Sequence, residues 1–233
     1  YYAARTCFRS LHERRGEGEV LNNLASFQQR RGLWGEAAAN YELALRIFAE
    51  LGYRWGQEAV LNNLGTLHHD LGHYVEAQAF CQQGLEIATE IKNLWGAGHV
   101  LDTLGTIMRS LGDFSAAQSY YRRALQLWRT FVSPYYESDT LAELALVWHL
   151  LGDDEAAYEY SRQAELIGRA VDSPRIRATA LTHLGHAQLA LGLLGEAAES
   201  YRQALALCRN LDQAHFSREI LAGLARIALA AGD

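Results

Sequence analysis

The chain has 233 residues, of which 49% are hydrophobic and 21% charged, a balance that excludes a disordered composition and leaves room for one or two packed domains. A formal net charge of -6 with histidine neutral argues against nucleic acid or an anionic membrane surface as the main partner. No window holds the run of about 18 apolar residues that a membrane span requires, and two prolines against 20 glycines suit helices joined by regular turns.

From Val20 onward the sequence returns to itself every forty residues without an insertion. VLNNLASFQQRRG at 20–32 is followed by VLNNLGTLHHDLG at 60–72, VLDTLGTIMRSLG at 100–112, TLAELALVWHLLG at 140–152 and ALTHLGHAQLALG at 180–192. ILAGLARIALAAGD closes the chain at 220–233. Gly32, Gly72, Gly112, Gly152, Gly192 and Gly232 fall in one column, and Ala37, Ala77, Ala117, Ala157 and Ala197 in another. A fixed period of this length is the signature of a stacked array. The expected repeats are 20–59, 60–99, 100–139, 140–179 and 180–219. Residues 1–19 align as the second helix of a preceding repeat and 220–233 as the first helix of a further one, so 1–233 reads as a single array cut from a longer chain.

Each repeat carries two helix signals. In 60–99, Leu61, Leu64, Leu67 and Leu71 recur at helical spacing, and Gly72 then stops the run, free to take a positive φ. A second helix starts at Glu76 and runs through Ala77, Phe80, Cys81, Gly84, Leu85 and Ile87 to Ala88. The alanine column lets two helix backbones approach closely, and leucine fills the remaining space. Short connections follow at ELGYRW 50–55, EIKNLW 90–95 and VDSPR 171–175. Trp55, Trp95, Tyr135, Tyr136 and Phe216, near the start of the next first helix, are expected to wedge between neighbouring repeats. One hairpin cannot bury its apolar side alone, whereas stacked hairpins cover one another. The expectation is an all-α, right-handed α-α superhelix.

Leu61, Leu64-Gly65, His68, Leu71-Gly72-His73-Tyr74, Ala77, Cys81 and Gly84 form a recurrent pattern. It returns as Leu101, Leu104-Gly105, Met108, Leu111-Gly112-Asp113-Phe114, Ala117, Tyr121 and Ala124, and as Leu181, Leu184-Gly185, Gln188, Leu191-Gly192-Leu193-Leu194, Ala197, Tyr201 and Ala204. This pattern resembles the tetratricopeptide repeat. The period of forty departs from the family's commoner length of about 34, and the usual proline late in the second helix is missing. Longer repeats with LNNLG in the first helix resemble those of kinesin light chains and of the sensor arms of large bacterial regulators of the maltose-regulator type, which carry a nucleotide-binding switch domain.

The resemblance implies that first helices line the inside of the curve. The residues beside the buried leucines then face a groove: Asn22, Asn23, Ser26 and Gln29; Asn62, Asn63, Thr66 and His69; Asp102, Thr103, Thr106 and Arg109; Glu143, Leu146 and His149; and Thr182, His183 and His186. An amide both donates and accepts, so a row of them suits the unpaired main chain of an extended peptide. The N-terminal half of the groove is rich in amides and hydroxyls. Its middle sets Asp102, Asp139 and Glu143 against Arg109, and further on it turns apolar with Leu146, Leu189 and Leu229.

No chemistry is legible. His183, His186 and His149 offer three imidazoles but no zinc motif, and no phosphate-binding glycine loop or convergent acid–base pair is present. We expect no enzyme activity, metal or cofactor. His68 should be part-buried and His69 should face the groove. Cys7, Cys81 and Cys208, odd in number and far apart, suit reduced core thiols and a cytoplasmic location. The reading is a protein- or peptide-binding scaffold or sensor module of a larger regulatory protein. Its rivals are a self-association module, meeting another copy through its helix ends and the outer aromatics Trp34, Trp128 and Trp148, and a small-molecule-sensing arm of a bacterial transcriptional regulator.

Overall fold

The computed structural model describes residues 13–208 and 214–231, so Cys7 and the expectation for Phe216 lie outside the described side chains. Every described element is a helix: α1 Arg14–Arg30, α2 Trp34–Glu50, α3 Arg54–Asp70, α4 Tyr74–Glu90, α5 Leu94–Ser110, α6 Phe114–Thr130, α7 Pro134–Leu150, α8 Asp154–Ala170, α9 Pro174–Ala190, α10 Leu194–Cys208 and α11 Ala214–Ala231. This is the all-α helix-turn-helix solenoid that the forty-residue pattern predicts. None of these helices is long and apolar enough to cross a membrane.

The backbone repeats twice as often as the sequence does. Helices α1 to α9 each span 17 residues and are joined by three-residue turns. Positive φ recurs every twenty residues, at Gly32, Gly52, Gly72, Lys92, Gly112, Val132, Gly152, Asp172 and Gly192. Each of these is the left-handed residue of a Schellman turn. After α3, for example, Gly72 N donates to His69 O at 2.9 Å and His73 N to His68 O at 2.8 Å, satisfying two terminal carbonyls. Starts are marked as well: Asn93, Asp113 and Asp153 accept a hydrogen bond from the first turns of α5, α6 and α8, and proline opens α7 and α9.

Val132 breaks the rule of this turn. It has φ 50° and is 83% exposed, so a β-branched side chain sits in the left-handed region with no packing to compensate. Val132→Asn is expected to raise stability by about 1 kcal/mol, read as a gain of roughly 2–4 °C in Tm by calorimetry. An unchanged or lower Tm would refute the assignment of strain to this residue.

The chain divides into two compact units, 1–112 and 113–233. In the first, α1 packs on α2, α2 on α3, α3 on α4 and α4 on α5; α1 also meets α3 and α3 meets α5, whereas α2 and α4 do not approach each other. The odd-numbered helices therefore form the tight inner row and the even-numbered helices the splayed outer row of a curved stack. The second unit repeats this scheme, with α7, α9 and α11 in the inner row and α6, α8 and α10 in the outer.

Small residues permit these contacts. Ala37, Ala77, Ala117, Ala157 and Ala197 are all fully or almost fully buried. Between inner and outer helices, a large residue faces a small one. A Cβ added to Gly65 would lie 2.1 Å from Cys81 Sγ. The Tyr201 ring occupies the space that side chains on Gly185 and Gly223 would fill.

The aromatic expectations divide. Tyr136 does pack inside, stacked on Trp128 with centroids 4.8 Å apart. Trp55, Trp95 and Tyr135 are not sealed between repeats: they are 52%, 43% and 38% exposed. Trp128, expected on the outer surface, is fully buried, because its position in α6 faces the neighbouring α7 rather than solvent.

Candidate functional site

The inner face of the first unit is built from α1, α3 and α5. It carries a concavity of about 640 Å³ lined by Tyr53, Trp55, Glu58, Ala59, Asn62, Asn63, Asn93, Trp95, Gly96 and His99. A smaller one of about 240 Å³ adjoins it, sharing Tyr53, Trp55 and Ala59 and adding Glu19, Asn22, Asn23, Phe48 and Gly56. The four asparagines of the twin VLNNL motifs thus all reach this face.

They do not act alike there. Asn63 Nδ2 donates to Asn22 Oδ1 at 2.8 Å, so this pair ties α1 to α3 across forty-one positions. Asn23 is exposed. Asn62 is half-buried, and its Oδ1 is buried without a hydrogen-bond partner. Further along the same row, Gln29 donates to Asp70 at 2.8 Å and His69 Nε2 meets Ser110 Oγ at 2.8 Å, again forty-one positions apart. Polar staples between repeats therefore use part of the face that the sequence offers to a ligand.

The hydroxyls expected in the groove mostly turn back on their own helices. Thr66 Oγ1 donates to Asn63 O, Thr103 to His99 O and Thr106 to Asp102 O. Ser26 is half-buried, and the Tyr41 phenol beside this row donates to Gln29 Oε1 at 3.1 Å. Asp102 is half-buried, and Arg109 lies in the last turn of α5, away from the concavity. His68 is part-buried and packs on Phe80 with ring centroids 5.0 Å apart.

The site holds residues that sequence reasoning passed over. Glu58 is only 5% exposed, and its Oε2 accepts from Asn93 Nδ2 at 2.8 Å. Asn93 Oδ1 in turn accepts from Gly96 N at 3.0 Å, capping α5. Burial pushes the Glu58 carboxyl above its ordinary range, with the Asn93 bond opposing. His99 meets Trp95 edge-on at 5.7 Å, and burial lowers its pKa, which keeps the ring neutral near neutrality. The signals were present: Asn93 immediately precedes a helix, and Trp55 and Trp95 stand one period apart.

The inner face of the second unit differs. Arg175 donates to Tyr135 Oη at 2.9 Å and to Asp139 at 3.3 Å, and Tyr121 Oη donates to Glu143 at 3.2 Å. His149, His183 and His186 do come together. His186 lies 5.8 Å from His149 and 5.9 Å from His183, ring to ring, and meets Tyr201 at 5.6 Å. His149 Nδ1 is also 2.5 Å from Asp154 Oδ1. Burial, then the two neighbouring imidazoles, push the His186 pKa down to about 3. His183 is only 5% exposed and Thr182 is fully buried, donating to Ala178 O, so neither presents a groove surface. Among the described residues no cluster of three His, Cys, Asp or Glu is placed to hold a metal ion.

A tetratricopeptide repeat family model matches residues 16–90 and 56–130, and a second one matches 178–211, together more than half of the chain. BtubC (BKLC) from P. vanneervenii superposes with a TM-score of 0.76 at 19% identity, over 91% of this chain and 87% of that one. A Podosopora anserina protein assigned as a kinesin light chain, with nearly identical TPR-like repeats, gives 0.66 at 19% identity over 84% and 96%. The STAND protein with a tetratricopeptide repeat sensor from Pyrococcus horikoshii gives 0.75 at 20% identity, over 94% of this chain and 34% of that one. At these identities the structural likeness concerns the fold alone. No curated protein matches the chain by sequence. With the forty-residue pattern, the helix-turn-helix stack and the family models in agreement, the chain belongs to the tetratricopeptide repeat family.

Proposed function

We propose that the chain is a protein- or peptide-binding module, a scaffold or sensor arm of a larger regulatory protein, which captures an extended peptide on the inner face of its first unit. It performs no catalysis and uses no cofactor. A reducing, cytoplasmic setting is part of the same proposal, supported by Cys81 and Cys208, which are buried as free thiols.

One observation carries the reading. The concavity over α3 and α5 combines exposed tryptophans at 55 and 95 with the amides of Asn62 and Asn63. Exposed tryptophan is costly in water and is enriched where partners bind. Side-chain amides between such rings match a peptide, whose main chain needs a donor and an acceptor at each residue. The proposed contacts are Asn23, Asn62 and Trp55, with Trp95 and Asp102 further along. Asn22 and Asn63 hold the floor through their mutual bond.

The test is selection from a random peptide display library, followed by binding to the wild type and to a Trp55→Ala/Asn62→Ala variant. Both side chains are at least partly exposed, so the fold should survive, as circular dichroism will verify. The selected peptides should bind the variant at least about tenfold more weakly, a loss of roughly 1.4 kcal/mol or more. Equal affinity for both proteins would remove the site from this face.

A further inference from the structure

The concavity in the first unit is chemically one-sided. Two tryptophan rings, Trp55 and Trp95, stand around it with Tyr53, whose own face already carries the Arg15 guanidinium at 4.2 Å, and its one carboxyl, Glu58, belongs to its wall. No lysine or arginine is among the lining residues, and the remaining titratable ring, His99, is kept neutral by burial. Glu58 Oε2 takes the Asn93 amide, which leaves the carboxyl with further acceptor capacity. Asn62 also lines the site, and no hydrogen bond holds its carbonyl, so its amide can turn toward a donor.

We infer that this concavity is a subsite for a basic side chain, lysine or arginine, carried by the bound peptide. The inference rests on the peptide-binding reading above and names the residue that reading leaves open. Two independent attractions converge on such a guest. The faces of aromatic rings draw a cation electrostatically, tryptophan most strongly, and with Tyr53 taken by Arg15 the rings that serve are Trp55 and Trp95. A carboxylate that is only 5% exposed forms a charge-assisted hydrogen bond with it. An acidic side chain would meet Glu58 with like charge, and an apolar one would strip water from a buried carboxyl without replacing its bonds. The net charge of -6 on the chain favours the approach of a basic segment in the same sense.

The probes are four pentapeptides of the form acetyl-Ala-Ala-X-Ala-Ala-amide, with X as lysine, arginine, norleucine or acetyl-lysine. Binding is followed through the indole N–H resonances of Trp55 and Trp95, assigned by single Trp→Phe variants. The lysine and arginine peptides should shift both resonances with affinities at least about tenfold above those of norleucine and acetyl-lysine, as expected for a desolvated cation–π and carboxylate pair. In Glu58→Gln this preference should vanish while Tm stays equal or rises, because glutamine keeps the acceptor for Asn93 without the buried charge. Equal affinity of all four peptides at these resonances overturns the cationic subsite and leaves the peptide groove standing. No shift from any of the four overturns the subsite. If the display-selected peptides also leave Trp55 and Trp95 unmoved, the groove reading fails with it.

Discussion

Tyr201→Ala is expected to cost about 3–5 kcal/mol of stability, whereas Tyr201→Phe should cost nothing and can gain up to about 1 kcal/mol. The ring is fully buried in α10, and Cβ atoms built on Gly185 of α9 and Gly223 of α11 would lie 2.7 and 2.4 Å from its atoms. One aromatic side chain therefore fills the space between three helices, and its removal leaves a void where two glycines offer nothing to close it. The hydroxyl has no partner among the described residues, so it contributes desolvation cost without a bond in return. Gly185→Ala should cost about 1–3 kcal/mol by overpacking in the wild type and much less in the Tyr201→Ala background. Urea unfolding of the four proteins measures the cycle. Independent, additive costs would show that the ring and the glycine do not share this space.

The fold was legible because it is written redundantly. Leucines at helical spacing, a glycine at each first-helix end and an alanine in each second helix repeat down the chain, so each element is predicted several times over. The twenty-residue backbone period was hidden by the residues that replace glycine in alternate turns. Gly52 keeps it, but Lys92, Val132 and Asp172 occupy the same left-handed position without announcing it. What no pattern search registers is that a Schellman turn closes on its hydrogen bonds whichever residue bears the strain.

The inner face was legible in outline only. Periodicity assigns Asn22, Asn23, Asn62 and Asn63 to the inner row, and the structure puts all four against concavities. It does not say which amide bonds its neighbour, because that depends on the distance between repeats; Asn63 reaches Asn22, and Asn62 is left over. Polarity places the threonines of this row in the groove, yet they bond their own helix at i−3 or i−4, an option open to any buried hydroxyl. Glu58 went unnoticed because an isolated carboxylate in a charged sequence looks solvated. Only the approach of Gly96 and Asn93 encloses it.

That enclosure gives the second large effect. Asn93→Ala should cost about 2–4 kcal/mol at neutral pH, combining a lost helix cap of about 1 kcal/mol with the loss of the partner of a buried carboxyl, worth about 1–3 kcal/mol. Asn93 is 6% exposed and serves both roles at once, accepting from Gly96 N and donating to Glu58 Oε2. The two parts separate with pH. Glu58 has its folded pKa raised by burial, so as pH climbs past the unfolded carboxyl value the unfolded state gives up its proton first. The native state then binds more protons, and stability falls until the folded pKa is passed; below the unfolded value the penalty is absent. Asn93 opposes the rise, so without it the folded pKa moves higher and the fall extends further. The cost of Asn93→Ala should therefore shrink to the cap alone near pH 4 and be full at pH 7. In a Glu58→Gln background it should lose its dependence on pH. Urea unfolding across that range decides the matter: a cost that is the same at both ends would mean that Asn93 acts on α5 only, and that the carboxyl between the two tryptophans is not held there as a buried charge.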